Sequence, residues 1–194
     1  MPERRRVPVK PPRSTPTSTS DTFRDVIHAA SNPANNVECE CPRLDPADWH
    51  EVESDWSDIT FVKGAVSAVA GVPVGYTGVR EGLFSQAAKL GAVAPDDAMV
   101  LLGEGRLRRP VMVEVEDVPA DAKGVVRPGG VVYTRLVPAP LGAMKEAVAE
   151  TRAAARARYG REPDGIWVWY LTCRVCSSPR EFETLIVAHY RSGT

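Results

Sequence analysis

The sequence predicts an α+β fold, with two strand-helix-strand-strand repeats forming an antiparallel sheet, two helices on one face and a ligand groove. Three observations predict it. Short β-branched runs alternate with two segments whose apolar residues recur at helical spacing. The order strand, helix, strand, strand occurs twice. A Val-Pro pair, Val72-Pro73 and then Val137-Pro138, ends the first strand of each half and turns the chain toward its helix.

In chain order, residues 1–35 read as a basic tail rich in Pro, Ser and Thr. Over residues 1–20, Arg4, Arg5, Arg6, Lys10 and Arg13 face only Glu3. This composition buries too little apolar surface to offset chain entropy, so the tail is expected to be disordered. Its prolines also prevent the amphipathic helix of a transit peptide. A polyanion-binding arm and an inert leader both remain open. The excess of +4 over residues 1–20 leaves −5 in the rest of a chain whose net charge is −1. Residues 36–58 form an acidic arm in which Trp49 and Trp56 favour packing on the domain.

The domain proper is expected over 59–194. Ile59 to Val72 reads as one long strand, bent at Gly64 or Gly71. Gly78 to Leu90 places Val79, Leu83, Ala87 and Leu90 on one helical face closed by Gly91. Ala98 to Leu102 and Val111 to Val118 are strands joined through Gly103-Glu-Gly105. The second half offers a strand from Val131 to Val137, a helix from Pro140 to Tyr159, and strands from Ile166 to Leu171 and Phe182 to Tyr190. In that helix Leu141, Met144, Val148, Ala155 and Tyr159 share a face. Glu146 and Glu150 precede Arg152, Arg156 and Arg158, which is the order the helix dipole favours. The arginines are thereby explained without nucleic acid. No apolar run is long enough for a membrane helix, and the first residues lack a secretory core, so a cytoplasmic protein is expected.

A free sheet face would be the place for a ligand. Trp167 and Trp169 alternate with Ile166, Val168 and Tyr170, so both indoles share one side of a strand, either filling core or lining a ligand. In the last strand Glu183 stands among residues apolar on both sides. Such a carboxylate is either solvated at the sheet's end or partly buried with a raised pKa, fit to act as a general base or to receive a cation. Tyr133, Tyr76 and Glu114 are further ligand-binding candidates, although a Glu alternating with valines is also the ordinary half-buried pattern.

The four cysteines form two close pairs, Cys39-x-Cys41 and Cys173-x-x-Cys176. They suit a tetrahedral structural zinc if the arm folds back to the loop before the last strand. Reduced cytosolic thiols, or disulfide and redox use, are the alternatives. His28, His50 and His189 have no catalytic-zinc spacing, and nucleophile elbow, P-loop and dinucleotide motifs are missing from the sequence. Catalysis without a cofactor would therefore rest on carboxylate, tyrosine and shape.

From about Cys41 to Tyr190 the sequence resembles the GyrI-like small-molecule-binding superfamily, in particular its prokaryotic hydrolase branch. The likeness is carried by Cys41-Pro with Asp45-Pro and Trp49, by Trp56-x4-Phe61-Val62-Lys63, and by Trp167 to Tyr170 followed by Thr172-Cys173-x-x-Cys176. It implies an aromatic-lined groove for planar or cationic ligands, with Glu183 as the candidate carboxylate and Tyr170, Trp167 and Trp169 beside it. Some relatives add water to the strained cyclopropane of DNA-alkylating compounds, in detoxification or antibiotic resistance. Others bind effectors without turnover. Where the family often has Gly-Pro-Tyr before the second helix, this chain has Pro138-Ala-Pro140-Leu and lacks the loop aromatic. The resemblance thus implies a hydrolase, with non-catalytic binding or sequestration of a planar or cationic ligand as the alternative.

Overall fold

A computed structural model describes residues 39–119, 122–140 and 142–192. The tail over 1–35 and Leu141 of the second helix's expected face lie outside the described residues. Among the described residues, nine strands and three helices make a mixed α+β fold, antiparallel wherever register is defined. The chain divides into two compact units that do not follow its linear halves. The first takes the described residues up to Ser54 with Val132–Glu162 and Tyr170–Ala188. The second takes Asp55–Val131, Pro163–Trp169 and the described residues from His189 onward.

In the first unit the strand order is β1 (Val52–Asp55), β7 (Val131–Pro138), β9 (Glu183–Tyr190). Every residue of β9 after Glu183 is buried, as a strand apolar on both faces requires. The arm opens with a short helix, α1 (Pro46–Trp49), capped by Asp45, whose carboxylate accepts the Ala47 N–H at 2.9 Å. Neither α1 nor β1 carries a periodic signal, and the sequence reading had neither. His50 follows, buried, with Nδ1 donating to the Leu136 carbonyl at 2.8 Å.

The long helix α3 (Met144–Tyr159) starts later than Pro140: Gly142 and Ala143 are in a turn, and the Pro140 carbonyl accepts from the N–H of Ala143 and of Met144. Its buried face is Ala147, Thr151 and Ala155 rather than the larger residues expected there, and Thr151 satisfies its hydroxyl on the Ala147 carbonyl at 2.8 Å. Larger polar groups complete the seam. Tyr159 donates to Glu53, Arg158 pairs with the same carboxylate at 3.5 Å, and its guanidinium lies 5.7 Å from the Tyr133 ring centre.

In the second unit the order is β8 (Gly165–Tyr170), β4 (Val100–Gly103), β5 (Arg108–Val115), β2 (Thr60–Val69), β3 (Val72–Val74), with β6 (Val125–Val126) also paired to β2. The helix α2 (Tyr76–Lys89) lies against β2 and β5 and buries Leu83 and Ala87, as its spacing predicts. Its end is a Schellman turn: Ala92 N–H bonds the Ala87 carbonyl, Gly91 N–H bonds that of Ala88, and Gly91 takes a φ of 72°.

The single bent strand expected from Ile59 to Val72 is corrected in two ways. Gly64 lies within continuous β2 and makes room for α2, since a Cβ there would fall 2.9 Å from Leu83 Cδ2. The chain instead reverses at Ala70-Gly71, both with positive φ (50° and 83°), so that Val72 pairs back with Val69. Arg109 braces this hairpin, donating from Nη1 to the Gly71 carbonyl at 3.0 Å and from Nε to that of Gly103 at 2.7 Å. Among the described residues no helix is long and apolar enough to cross a membrane.

Candidate functional site

The densest chemistry in the first unit lies where the arm meets the loop between β8 and β9. Cys39 and Cys41 come from the arm, Cys173 and Cys176 from the loop, and their four sulfurs all lie within 4.8 Å of one another. The condition set by the sequence, that the arm fold back to this loop, is met. The Cys173 and Cys176 sulfurs are 3.8 Å apart, and all four cysteines are free thiols. A disulfide needs sulfurs at about 2.05 Å. A tetrahedral zinc with bonds of about 2.3 Å spaces its sulfurs by about 3.8 Å.

The backbone prepares these thiols unequally. The N–H groups of Cys176 and Val175 point at the Cys173 sulfur and bring its pKa down to about 6. The Cys41 N–H lowers Cys39 in the same way. Burial pushes the second cysteine of each pair upward, Cys41 to about 12 and Cys176 also above its ordinary value. Cys176 further accepts the Cys173 N–H at 3.3 Å. One thiol in each pair is thus readily ionised, while the other needs a counter-charge.

Arg180 provides a counter-charge within this corner. It is 3% exposed. Its Nη1 donates to the Leu171 carbonyl at 3.0 Å and lies 3.9 Å from the Cys176 sulfur. Its Nη2 donates to the Pro42 carbonyl at 2.7 Å and to Glu183 Oε2. Burial is the largest influence and opposes the guanidinium charge, but Glu183 and Cys176 beside it together raise its pKa above the arginine norm. The loop is held in turn by Ser177 and Phe182, whose N–H groups bond the carbonyls of Cys173 and Ser177 at 2.9 and 2.7 Å.

Glu183 therefore begins β9 half-buried, with Oε2 in an ion pair. The sequence offered solvation, or partial burial as a base or as the partner of a cation; a cation three residues upstream is the arrangement found. Tyr170 ends β8, half-buried, and the next residue's N–H, that of Leu171, bonds the Glu183 carbonyl at 3.3 Å. The first unit thus brings Glu183 and Tyr170 to neighbouring chain positions beside the cysteines. Tyr133, also in this unit, is 4% exposed, and burial raises its pKa to about 12 with Glu51 adding to the effect.

The other candidates belong to the second unit and have packing roles there. Trp169 is 3% exposed. Trp167 is half-buried opposite Gly103, where an added Cβ would lie 2.8 Å from its Cζ3 and 2.6 Å from Pro110 Cγ, so the indole covers bare backbone. Glu114 is buried, and its Oε2 accepts the Met99 N–H at 3.1 Å while its own N–H bonds the Met99 carbonyl. Tyr76 is half-buried in the first turn of α2. His189 donates from Nε2 to the Gly129 carbonyl at 2.7 Å, and its ring stacks 5.9 Å from that of Trp56.

Arg180 is the residue that sequence reasoning missed. Its one local signal is the spacing Arg180-x-x-Glu183 after a CxxC pair, an opposite charge near a carboxylate in an apolar strand. The Glu53–Tyr159 bond was missed too, because it joins the acidic arm to a helix end 106 positions away.

A family model described as bacterial hydrolase matches residues 30–187. No curated protein and no solved structure matches the chain.

Proposed function

The chain belongs to the bacterial hydrolase family, and from that premise we propose that it adds water to a planar, electrophilic small molecule of the cyclopropane-bearing kind, in detoxification or resistance. The observation that carries this reading is a carboxylate fixed at one oxygen: Arg180 holds Glu183 through Oε2, which leaves Oε1 to orient a water. Water gives a proton to that carboxylate as its oxygen bonds the strained ring carbon. The electrons of the broken C–C bond move to the conjugated carbonyl oxygen, which Tyr170 protonates, and the proton on Glu183 returns to Tyr170 through solvent. The GyrI-like resemblance supports the same substrate class, and an acidic body favours uncharged or cationic planar molecules over anions.

We assign the cysteine corner a structural role, holding zinc, because four thiolates fill a tetrahedral ion's coordination and leave no position for substrate. The test of the hydrolase is incubation with a cyclopropane-containing DNA alkylator and mass spectrometry for a product heavier by one water. Multiple turnovers per chain are expected. Capture of one ligand per chain without product would instead make the protein a sequestering one. Glu183→Gln, which keeps a hydrogen-bond acceptor for Arg180, is expected to lower turnover at least ~100-fold. Undiminished turnover in that variant would remove Glu183 from the chemistry.

A further inference from the structure

We propose that Arg180 is the counter-cation of a zinc tetrathiolate formed by Cys39, Cys41, Cys173 and Cys176, and the clamp that ties the arm to that ion. The inference rests on the structural-zinc reading above and goes beyond it by naming what lets the site hold its charge. Its basis is geometric. The Cys173 and Cys176 sulfurs stand at the 3.8 Å spacing that a tetrahedral Zn–S4 centre requires, and no pair of the four sulfurs is beyond 4.8 Å. Soft sulfur donors in a tetrahedron select zinc over calcium, magnesium or manganese.

Binding releases the thiol protons to solvent and leaves an ion of two net negative charges. Such a charge at a partly buried corner needs compensation. Backbone N–H groups aimed at Cys39, Cys173 and Cys176 spread some of it over the sulfurs. Arg180 adds one positive charge, shared with Glu183. It is almost fully buried and lies 3.9 Å from the Cys176 sulfur. It cannot shed its proton to escape the site.

The same guanidinium bonds one carbonyl from each side of the site, Pro42 just after the arm's cysteines and Leu171 just before the loop's. Those two carbonyls satisfy donors that Glu183 alone leaves unmet, and they tie Arg180 to both segments. Metal and arginine thus fasten the same two segments, and each lowers the cost of ordering them for the other.

The experiment uses the full chain, purified in reducing buffer after growth with added zinc. Elemental analysis and native mass spectrometry should find one zinc per chain. Cobalt substitution should give the intense visible bands of a tetrahedral thiolate site. Competition with a chromophoric chelator should then show Arg180→Gln losing 10- to 100-fold in zinc affinity. Arg180→Lys keeps the charge and should stay within a few-fold of the parent. Glu183→Gln removes the competing carboxylate and should leave affinity equal or higher.

A metal-free chain with four readily alkylated thiols would overturn the site, and iron in place of zinc would overturn the ion. Unchanged affinity in Arg180→Gln would overturn the role of Arg180. Should that variant not fold, equal losses in Arg180→Lys and Glu183→Gln would overturn it as well. None of these readouts involves turnover, so a protein that holds zinc and hydrolyses nothing fails only the hydrolase reading.

Discussion

Two glutamates, one in each unit, meet the same problem differently. Glu114 in β5 accepts a neutral donor, the Met99 N–H, on its carboxylate. Glu183 in β9 is held by Arg180, a charge as buried as any among the described residues, which must itself be satisfied by two carbonyls and a sulfur. The first arrangement concerns one pair of strands. The second reaches into every segment of its corner, so disturbing it is expected to cost more and to be felt further away.

Chemical denaturation provides the widest contrast. Glu183→Ala strands the Arg180 charge and is expected to cost about 3–5 kcal/mol. Glu114→Leu leaves one backbone donor without its acceptor and should cost about 1–3 kcal/mol. Equal costs for the two would mean that the Arg180 pair is no more deeply embedded than an ordinary hydrogen bond. Gly103→Ala tests the packing of the second unit apart from charge. Its methyl group meets Pro110 and the Trp167 ring, and a loss of about 1–3 kcal/mol with a changed tryptophan fluorescence is expected.

The smallest effect concerns a carboxylate that needs neither burial nor a cation. The Ser57 hydroxyl and N–H hold the Asp55 pKa below its ordinary value. A depressed acid stabilises the fold above its unfolded pKa and loses that contribution as pH falls through the folded one. Ser57→Ala should therefore raise the Asp55 pKa in an NMR titration and leave stability at neutral pH nearly unchanged.

How much of this was legible in the sequence depends on how local each cause is. The core faces of α2 and β9 were readable because Leu83 and Ala87, and the run from Leu185 to Ala188, announce burial by spacing alone. The reversal at Ala70-Gly71 was not, since alanine rarely takes a positive φ and β-branched residues continue on both sides of it. The cysteine pairs were visible as a metal-binding possibility, and their meeting depended on a fold-back that no spacing encodes. Arg180 was invisible because its environment is assembled from Pro42, Leu171 and Cys176 rather than from its neighbours in the chain. The tryptophans were the reverse case: a conspicuous pattern, which at Trp167 reflects a glycine on the neighbouring strand.

The hydrogen bond from Arg180 to Pro42 also sets a schedule. Its partners are 138 positions apart. At ~5–20 residues per second, a ribosome finishes Arg180 roughly 7–28 s after Pro42. For that interval the arm's two sulfurs exist without their counterparts, open to oxidants and to stray metal ions, and nothing in the corner can close until almost the whole domain has been synthesised. Of the contacts described, this corner is among the last that the emerging chain can make.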